Sequence, residues 1–251
     1  MVPRIVHQVW FGGVKRAPTS IMASWRALCA RHGWEYRLWT EREIDSLPLE
    51  NRAVYTWFQN RGDLHGMSDV ARVEILRRYG GLYCDCDFEW ADNPLEEVLP
   101  LEVDLLLATT ENTYPSPVQF GMWQQRFPGG GASAHFLANG FLAAPPENPI
   151  LALMVREMPE SVEKNRVRVE QGFVTSSGAH RRLGAADCVG CFLLTHCSRQ
   201  HPFVVIPNQL VFAPQRMLHD EAFRDYRKRL VSYYRAKWRT YIGDGAATEA
   251  R

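Results

Sequence analysis

Asp85 and Asp87 stand two positions apart in Leu82-Tyr83-Cys84-Asp85-Cys86-Asp87-Phe88, directly after Arg77-Arg78-Tyr79-Gly80-Gly81 closes a segment that reads as an amphipathic helix. Strand residues alternate faces with a rise of about 3.3 Å per residue. A strand over 82–87 would therefore project both carboxylates from one face, with bases about 6.6 Å apart. One divalent cation can bridge that gap. Hard carboxylate oxygens suit Mg²⁺ or Mn²⁺, and a metal held by one or two protein carboxylates keeps positions open for substrate phosphates. The pattern points to a diphosphate ligand. An isolated Asp-x-Asp is weak evidence, because two acids at a strand end are more often simply solvated.

The preceding segment, Ser68-Asp69-Val70-Ala71-Arg72-Val73-Glu74-Ile75-Leu76-Arg77-Arg78-Tyr79, reads as a helix over 68–79, with Ser68 as N-cap and Gly80 as its stop. Asp69 and Arg72 share a face. Taken singly they are a dipole-favoured acid and an i,i+3 ion pair worth about 0.2–0.5 kcal/mol. At the start of the chain, Val2-Pro3-Arg4-Ile5-Val6-His7-Gln8-Val9-Trp10-Phe11-Gly12-Gly13 reads as an apolar strand ending in two aromatics and a Gly-Gly turn. Ligands of open α/β sheets gather at the carboxyl ends of strands. Trp10 and Phe11 stand there either as stacking surface for a nucleobase or as core, the commoner fate of an aromatic.

These residues need a scaffold, and the pattern supplies one. Strands are expected at 3–9, 34–39, 82–87, 103–109, 135–143, 190–195 and 203–206. Helices are expected at 19–31 (ended by Gly33), 41–46 (with a Thr40/Glu43 capping box), 51–60, 68–79 and 148–158. Such alternation predicts an α/β fold with a mostly parallel sheet flanked by helices. No Gly-x-Gly-x-x-Gly follows a strand, which weighs against a dinucleotide-dependent dehydrogenase. Phe127-Pro128-Gly129-Gly130-Gly131-Ala132-Ser133 reads as a loop that is either a flap over the site or plain surface.

The chain has 251 residues and 46% hydrophobic content. A single domain of that size buries about 70–75% of its unfolded surface. No run of about 18 apolar residues exists, and Met1-Val2-Pro3-Arg4 leads straight into a core strand, so the expected location is the cytoplasm. Cys29, Cys84, Cys86, Cys188, Cys191 and Cys197 are then expected as free thiols. Cys84 and Cys86 should point away from the Asp85/Asp87 face into the sheet packing. Cys84-x-Cys86 has the wrong spacing to join Cys188-x-x-Cys191 in a zinc knuckle. Net charge is only +1, so any affinity for anionic surfaces is local.

Taken together, Pro3 to Gly13, Trp25, Tyr36-Arg37-Leu38-Trp39, Ser68-Asp69-x-x-Arg72, Tyr79-Gly80-Gly81-Leu82-Tyr83-x-Asp85-x-Asp87 and Asn139-Gly140-Phe141 resemble glycosyltransferase family 32. That family carries the DXD-containing sugar-binding region of capsular-polysaccharide and mannosyl transferases and is similar to the catalytic domains of clostridial glucosylating toxins. The resemblance covers roughly residues 1–145. It implies a GT-A-type fold, in which 1–145 form the donor-binding core and 146–251 an acceptor-side and closing segment of one domain. It also implies a retaining enzyme that uses Mn²⁺ or Mg²⁺ and a UDP- or GDP-sugar.

By the same resemblance, Trp10 stacks on the nucleobase within a donor-binding stretch of Val9, Trp10, Phe11 and Gly12. Asp69 and Arg72 hold the sugar and its phosphate, Tyr83 contacts phosphate or ribose, and Asn139 sits near the sugar hydroxyls. Asp85 and Asp87 engage ribose and metal, with Asp87 the direct ligand.

The C-terminal part departs from that pattern. Tyr233 and Tyr234 stand where the family has paired histidines, and Lys237 stands where it has serine before Trp238. Trp238 can still close over the donor. Lys237, which cannot ligate a cation while charged, is expected to grip the diphosphate instead. Thr175-Ser176-Ser177-Gly178 replaces the family's Thr-Gly-Pro. The basic, aromatic segment 223–241 is either a solvated helix or a contact for an anionic membrane carrying a lipid-linked saccharide or for nucleic acid. The acceptor classes that follow are a saccharide, a lipid-linked saccharide, a protein or small molecule, and a modified nucleic-acid base. A nucleic-acid-binding module and an inactive sugar-nucleotide binder are the readings outside transferase chemistry.

Overall fold

In a computed structural model, residues 1–13, 17–88, 90, 94–97, 99–110, 137–171, 173–174, 180–181 and 188–206 are described. The loop 127–133, the segment 175–178, the tail 223–241 and with it Lys237 and Trp238 lie outside the described residues.

The chain alternates strands and helices: β1 (Ile5–Val9), α1 (Thr19–His32), β2 (Glu35–Trp39), α2 (Glu41–Ser46), α3 (Arg52–Asn60), α4 (Leu64–Tyr79), β3 (Gly81–Cys84), β4 (Leu106–Thr110), β5 (Leu137–Ala144), α5 (Pro149–Gln171), β6 (Phe173–Val174), β7 (His180–Arg181), α6 (Cys191–Ser198) and β8 (Phe203–Ile206). Six strands form one sheet in the order β2-β1-β3-β5-β4-β8, while β6 and β7 pair separately. β5 runs antiparallel to both of its neighbours, and every other pairing in the large sheet is parallel. The mostly parallel α/β architecture expected from the alternation is the one found. β1, β2 and β3 therefore end side by side.

Val9, Trp39, Tyr83, Leu106 and Leu142 pack on one face of the sheet under α3, α4, α5 and α6. Val6, Leu82, Cys84, Leu107 and Phe141 pack on the other under α1, with Trp25, Trp90 and Leu99. α1 ends at Gly33, which takes the left-handed φ of 70°. At α2 the Glu43 carboxylate accepts the Thr40 backbone N–H at 3.0 Å, as the capping box requires. Gly80 and Gly81 (φ 63° and 99°) turn α4 into β3. A Cβ on Gly81 would lie 2.5 Å from the Ile5 carbonyl oxygen, so no larger residue lets β3 pair with β1 there.

Five expectations are corrected. α4 begins at Leu64 under an Asp63 cap that accepts from the Gly66 N–H, and Ser68 lies inside it. The helix is also not amphipathic: Gly66, Met67 and Asp69 to Leu76 are all buried, because it is sandwiched between the sheet and α3 and α5. α5 continues through Pro159 to Gln171, since the hydrogen bond lost at proline is outweighed by burial of Met154, Val155, Met158 and Val162. Residues 191–198 are helical. Cys191-Phe192-Leu193-Leu194 is buried on every side, and for such a run periodicity cannot separate strand from helix. Finally, β3 stops at Cys84 and residues 85–88 form a turn, closed by the Phe88 N–H donating to the Asp85 carbonyl at 3.2 Å.

All six cysteines are buried, and none is in a disulfide. Cys84 lies in the core under α1, and the Cys86 thiol donates to the Val9 carbonyl. Among the described residues no helix is long and apolar enough to cross a membrane.

Candidate functional site

The carboxyl ends of β1, β2 and β3 carry Trp10, Thr40-Glu41 and Asp85 respectively. From the flanking layer, α4 presents Asp69 and Arg72, both about 95% buried. The reversed strand β5 brings Asn139 and Gly140 to the end of β3, where the Asp85 N–H donates to the Gly140 carbonyl at 2.9 Å. Asp69, Arg72, Asp85 and Asn139 thus meet, as their spacing along the chain could not guarantee.

Arg72 is the hub. Its Nη2 lies 3.1 Å from Asp69 Oδ1 and 3.2 Å from Asp85 Oδ1. Its Nη1 donates to the Asn139 carbonyl at 2.7 Å. The guanidinium lies over the Tyr83 ring, 4.5 Å from the centroid. The Tyr83 hydroxyl donates to Asp85 Oδ1 at 2.8 Å, and Asn139 Nδ2 donates to Asp69 Oδ1 at 2.9 Å. The Asp69–Arg72 pair is therefore no solvated helix-surface bridge but the buried base of a polar network. Burial pushes the Asp69 carboxyl up to about 6 against the pull of Arg72. Burial works against the Arg72 charge, but Asp85, Tyr83 and Asp69 more than offset it and hold the guanidinium firmly protonated.

The turn after β3 separates the two acids. Asp85 is half-buried in the network, whereas Asp87 is exposed and, among the described residues, makes no ion pair or hydrogen bond. Their oxygens are hard donors of the kind Mg²⁺ and Mn²⁺ take. No group of three or more His, Cys, Asp or Glu among the described residues is arranged to hold a metal. The donor set fits a cation that draws most of its ligands from substrate oxygens and water.

Around Trp10 the picture is mixed. Trp10 is half-buried, with its indole N–H donating to the Gly13 carbonyl at 3.0 Å. It lines a cleft of about 400 Å³. Val9 and Phe11 turn into the core, with the Phe11 ring edge-on to Tyr55, so a donor could meet only their main chain. The Gly12 N–H donates to Glu41 Oε1 at 2.8 Å.

Three residues escaped sequence reasoning. Gln8, fully buried, donates from Nε2 to the Asp85 carbonyl at 3.3 Å while its Oε1 accepts from the Tyr36 hydroxyl at 2.8 Å. A Cβ on Gly140 would lie 2.6 Å from Asp85 Oδ2. A polar Gln in an apolar strand was the available signal for the first two, and Asn139-Gly140-Phe141 for the third.

A pH prediction follows from Asp69 and His7. Buried His7 accepts from the Trp39 indole at Nδ1 and donates from Nε2 to the Gly80 carbonyl, and burial lowers its pKa to about 4. The stability tied to neutral His7 is present above pH 6.5 and is lost as pH falls toward 4. The protonated Asp69 acts oppositely, adding stability as pH falls from about 6 toward 4. Each shift is worth about 3 kcal/mol, so they nearly cancel. Asp69→Asn should remove the gain and leave the loss, making unfolding free energy fall about 3 kcal/mol more than in wild type between pH 6.5 and 4. Parallel urea melts for the two proteins would refute this coupling.

A family model described as capsular polysaccharide synthesis protein matches residues 2–171. Inositol phosphoceramide mannosyltransferase 1 of Schizosaccharomyces pombe is 30% identical over 116 residues, 44% of this chain and 35% of that protein. An uncharacterized glycosyltransferase of Acanthamoeba polyphaga mimivirus is 26% identical over 91 residues, 35% of this chain and 36% of that protein. The chain thus spans about a third of the length of these curated relatives. Among solved structures, the PaToxG glycosyltransferase aligns over 94% of this chain and 78% of its own, with 14% identity and a TM-score of 0.45.

Proposed function

The chain belongs to the capsular polysaccharide synthesis protein family, and from that premise we propose that it is a glycosyltransferase moving a hexose from a nucleotide-diphosphate sugar to an acceptor hydroxyl. The observation that carries this reading is the Asp69–Arg72–Asn139–Asp85 network beside the exposed Asp87 at the carboxyl ends of β1 and β3. In a GT-A-type site of this kind, Asp85 and Asp87 would hold Mn²⁺ or Mg²⁺, which when bound supplies Lewis-acid neutralisation of the diphosphate. Asp69 and Asn139 accept and donate toward the sugar hydroxyls, and Arg72 fixes both carboxylates.

Retention of configuration fits the same residues. Asp69 and Asp85 are both held by Arg72 and Asp87 is read as a metal ligand, so none of the three carboxylates is assigned as a nucleophile on the anomeric carbon. The acceptor oxygen therefore bonds to that carbon on the face the diphosphate leaves, and its proton passes to the departing phosphate oxygen. A relative named as a mannosyltransferase makes mannose the first sugar to test.

Incubation of the purified protein with UDP- and GDP-hexoses and Mn²⁺ should release nucleoside diphosphate slowly from one donor even without acceptor. Proton NMR of a transferred product should show the donor's anomeric configuration. No release from any donor, with the protein folded, would defeat the assignment.

A further inference from the structure

The cleft beside Trp10 carries two charged side chains that form no ion pair among the described residues. Arg26 from α1 and Glu41 from the start of α2 line it with Met22, Leu38 and Thr40. Among the described residues Arg26 has no carboxylate partner, and its guanidinium lies over the Tyr36 ring, 5.5 Å from the centroid. Glu41 is held by the Gly12 N–H at Oε1, and among the described residues its Oε2 has no partner. An apolar slot with a tryptophan and with one donor head and one acceptor head suits a flat heterocycle with one acceptor edge and one donor edge.

We propose that this cleft takes the base of the donor nucleotide and that the base is guanine. The inference rests on the glycosyltransferase reading and sharpens it. A carboxylate only accepts hydrogen bonds. Guanine alone among the common bases offers two adjacent donors, N1–H and the N2 amino group. Uracil offers a single N3–H between two carbonyls that repel a carboxylate, and adenine sets an acceptor nitrogen beside its amino group. The O6 and N7 acceptors of guanine match the guanidinium fork of Arg26, while Trp10 supplies the stacking surface.

The placement suits a nucleotide. Strands pair about 4.8 Å apart, so the ends of β2 and β3 lie about 10 Å apart across β1, the reach of a ribose and diphosphate from Glu41 toward Asp85. The cleft is also wired to that turn: Arg26 covers Tyr36, the Tyr36 hydroxyl donates to Gln8, and Gln8 holds the Asp85 carbonyl.

Calorimetric titration of the full chain with GDP, UDP and ADP, in the presence of Mn²⁺, tests the inference. GDP should bind at least about tenfold more tightly than either rival, the value of hydrogen bonds to a charged group. Glu41→Gln, which still accepts from the Gly12 N–H, should lose that preference by weakening GDP binding about tenfold, with UDP bound no more weakly than by wild type. The same variant should gain affinity for xanthosine diphosphate, whose C2 carbonyl can accept from the new amide. Arg26→Met should weaken GDP binding, and thermal melts matching wild type would show both variants folded. UDP binding as tightly as GDP, or an unchanged preference in Glu41→Gln, overturns guanine and leaves the transferase reading standing. Absence of binding by every nucleoside diphosphate overturns both.

Discussion

Arg72→Met is expected to lower unfolding free energy by about 3–5 kcal/mol and to abolish sugar transfer, because removing one partner of a buried ion pair leaves an uncompensated charge. Asp69 is nearly inaccessible and already titrates at about 6 through burial, with Arg72 the chief force opposing that rise. Without the guanidinium the carboxyl moves higher still, so in the folded protein it must either stay charged without its partner or take up a proton at neutral pH, and either costs stability. Asp85 loses the contact that fixes it, and the Asn139 carbonyl loses its donor at 2.7 Å. The loss of activity and the loss of stability separate in a double variant. Asp69→Asn in the Arg72→Met background removes the stranded carboxylate and should recover most of the stability, yet no transfer. Urea melts and donor hydrolysis on the three proteins decide the matter. An Arg72→Met protein that melts and turns over like wild type would remove Arg72 from the centre of the site.

How far such a site can be read from sequence depends on which interactions are local. The strands β1 and β2, the helix α1 with its Gly33 stop and the Thr40/Glu43 capping box all rest on neighbours within a few residues, and their expected bounds agree closely with the structure. α4 does not. Ser68 is a good N-cap by residue type, but the helix starts one turn earlier, where Asp63 caps it and α3 packs against it. The all-round burial of α4 depends on three layers meeting around it, and nothing in a 16-residue window announces that. Likewise the helix at 191–198 carries an apolar run whose period is uninformative, and only its seat against β5 and α5 decides the conformation.

The site residues divide the same way. Asp69 and Arg72 are one helical turn apart, so their pairing was legible. Asn139 reaches Asp69 from 70 residues away through the antiparallel strand β5, and only the family resemblance singled it out. Gln8 and Tyr36 are not singled out by the sequence because a polar residue in an apolar strand does not say which group it holds: Tyr36 donates to the Gln8 side chain, and Gln8 to the Asp85 carbonyl.

Asp87→Asn is the complementary experiment, one in which the fold is expected to be indifferent and the chemistry is not. Asp87 is exposed, lies beyond the end of β3 and carries no ion pair among the described residues. The isosteric substitution should therefore change stability by no more than about 0.5 kcal/mol. Its effect falls on charge: an amide oxygen is a poor ligand for a hard divalent cation. With that ligand gone, the developing charge on the leaving diphosphate is neutralised less, a loss of about a hundredfold or more in turnover. Asp85→Asn should differ in kind. Asp85 is paired to Arg72 and accepts from Tyr83, so its neutralisation should lower stability as well as activity. Mn²⁺ titration in the presence of nucleoside diphosphate, read by calorimetry, separates metal binding from turnover. Asp87→Asn should weaken the Mn²⁺ isotherm while its melting curve overlays wild type. An unaltered isotherm with wild-type turnover would show that the exposed acid of the turn is only solvated and that the cation, if one binds, is held elsewhere.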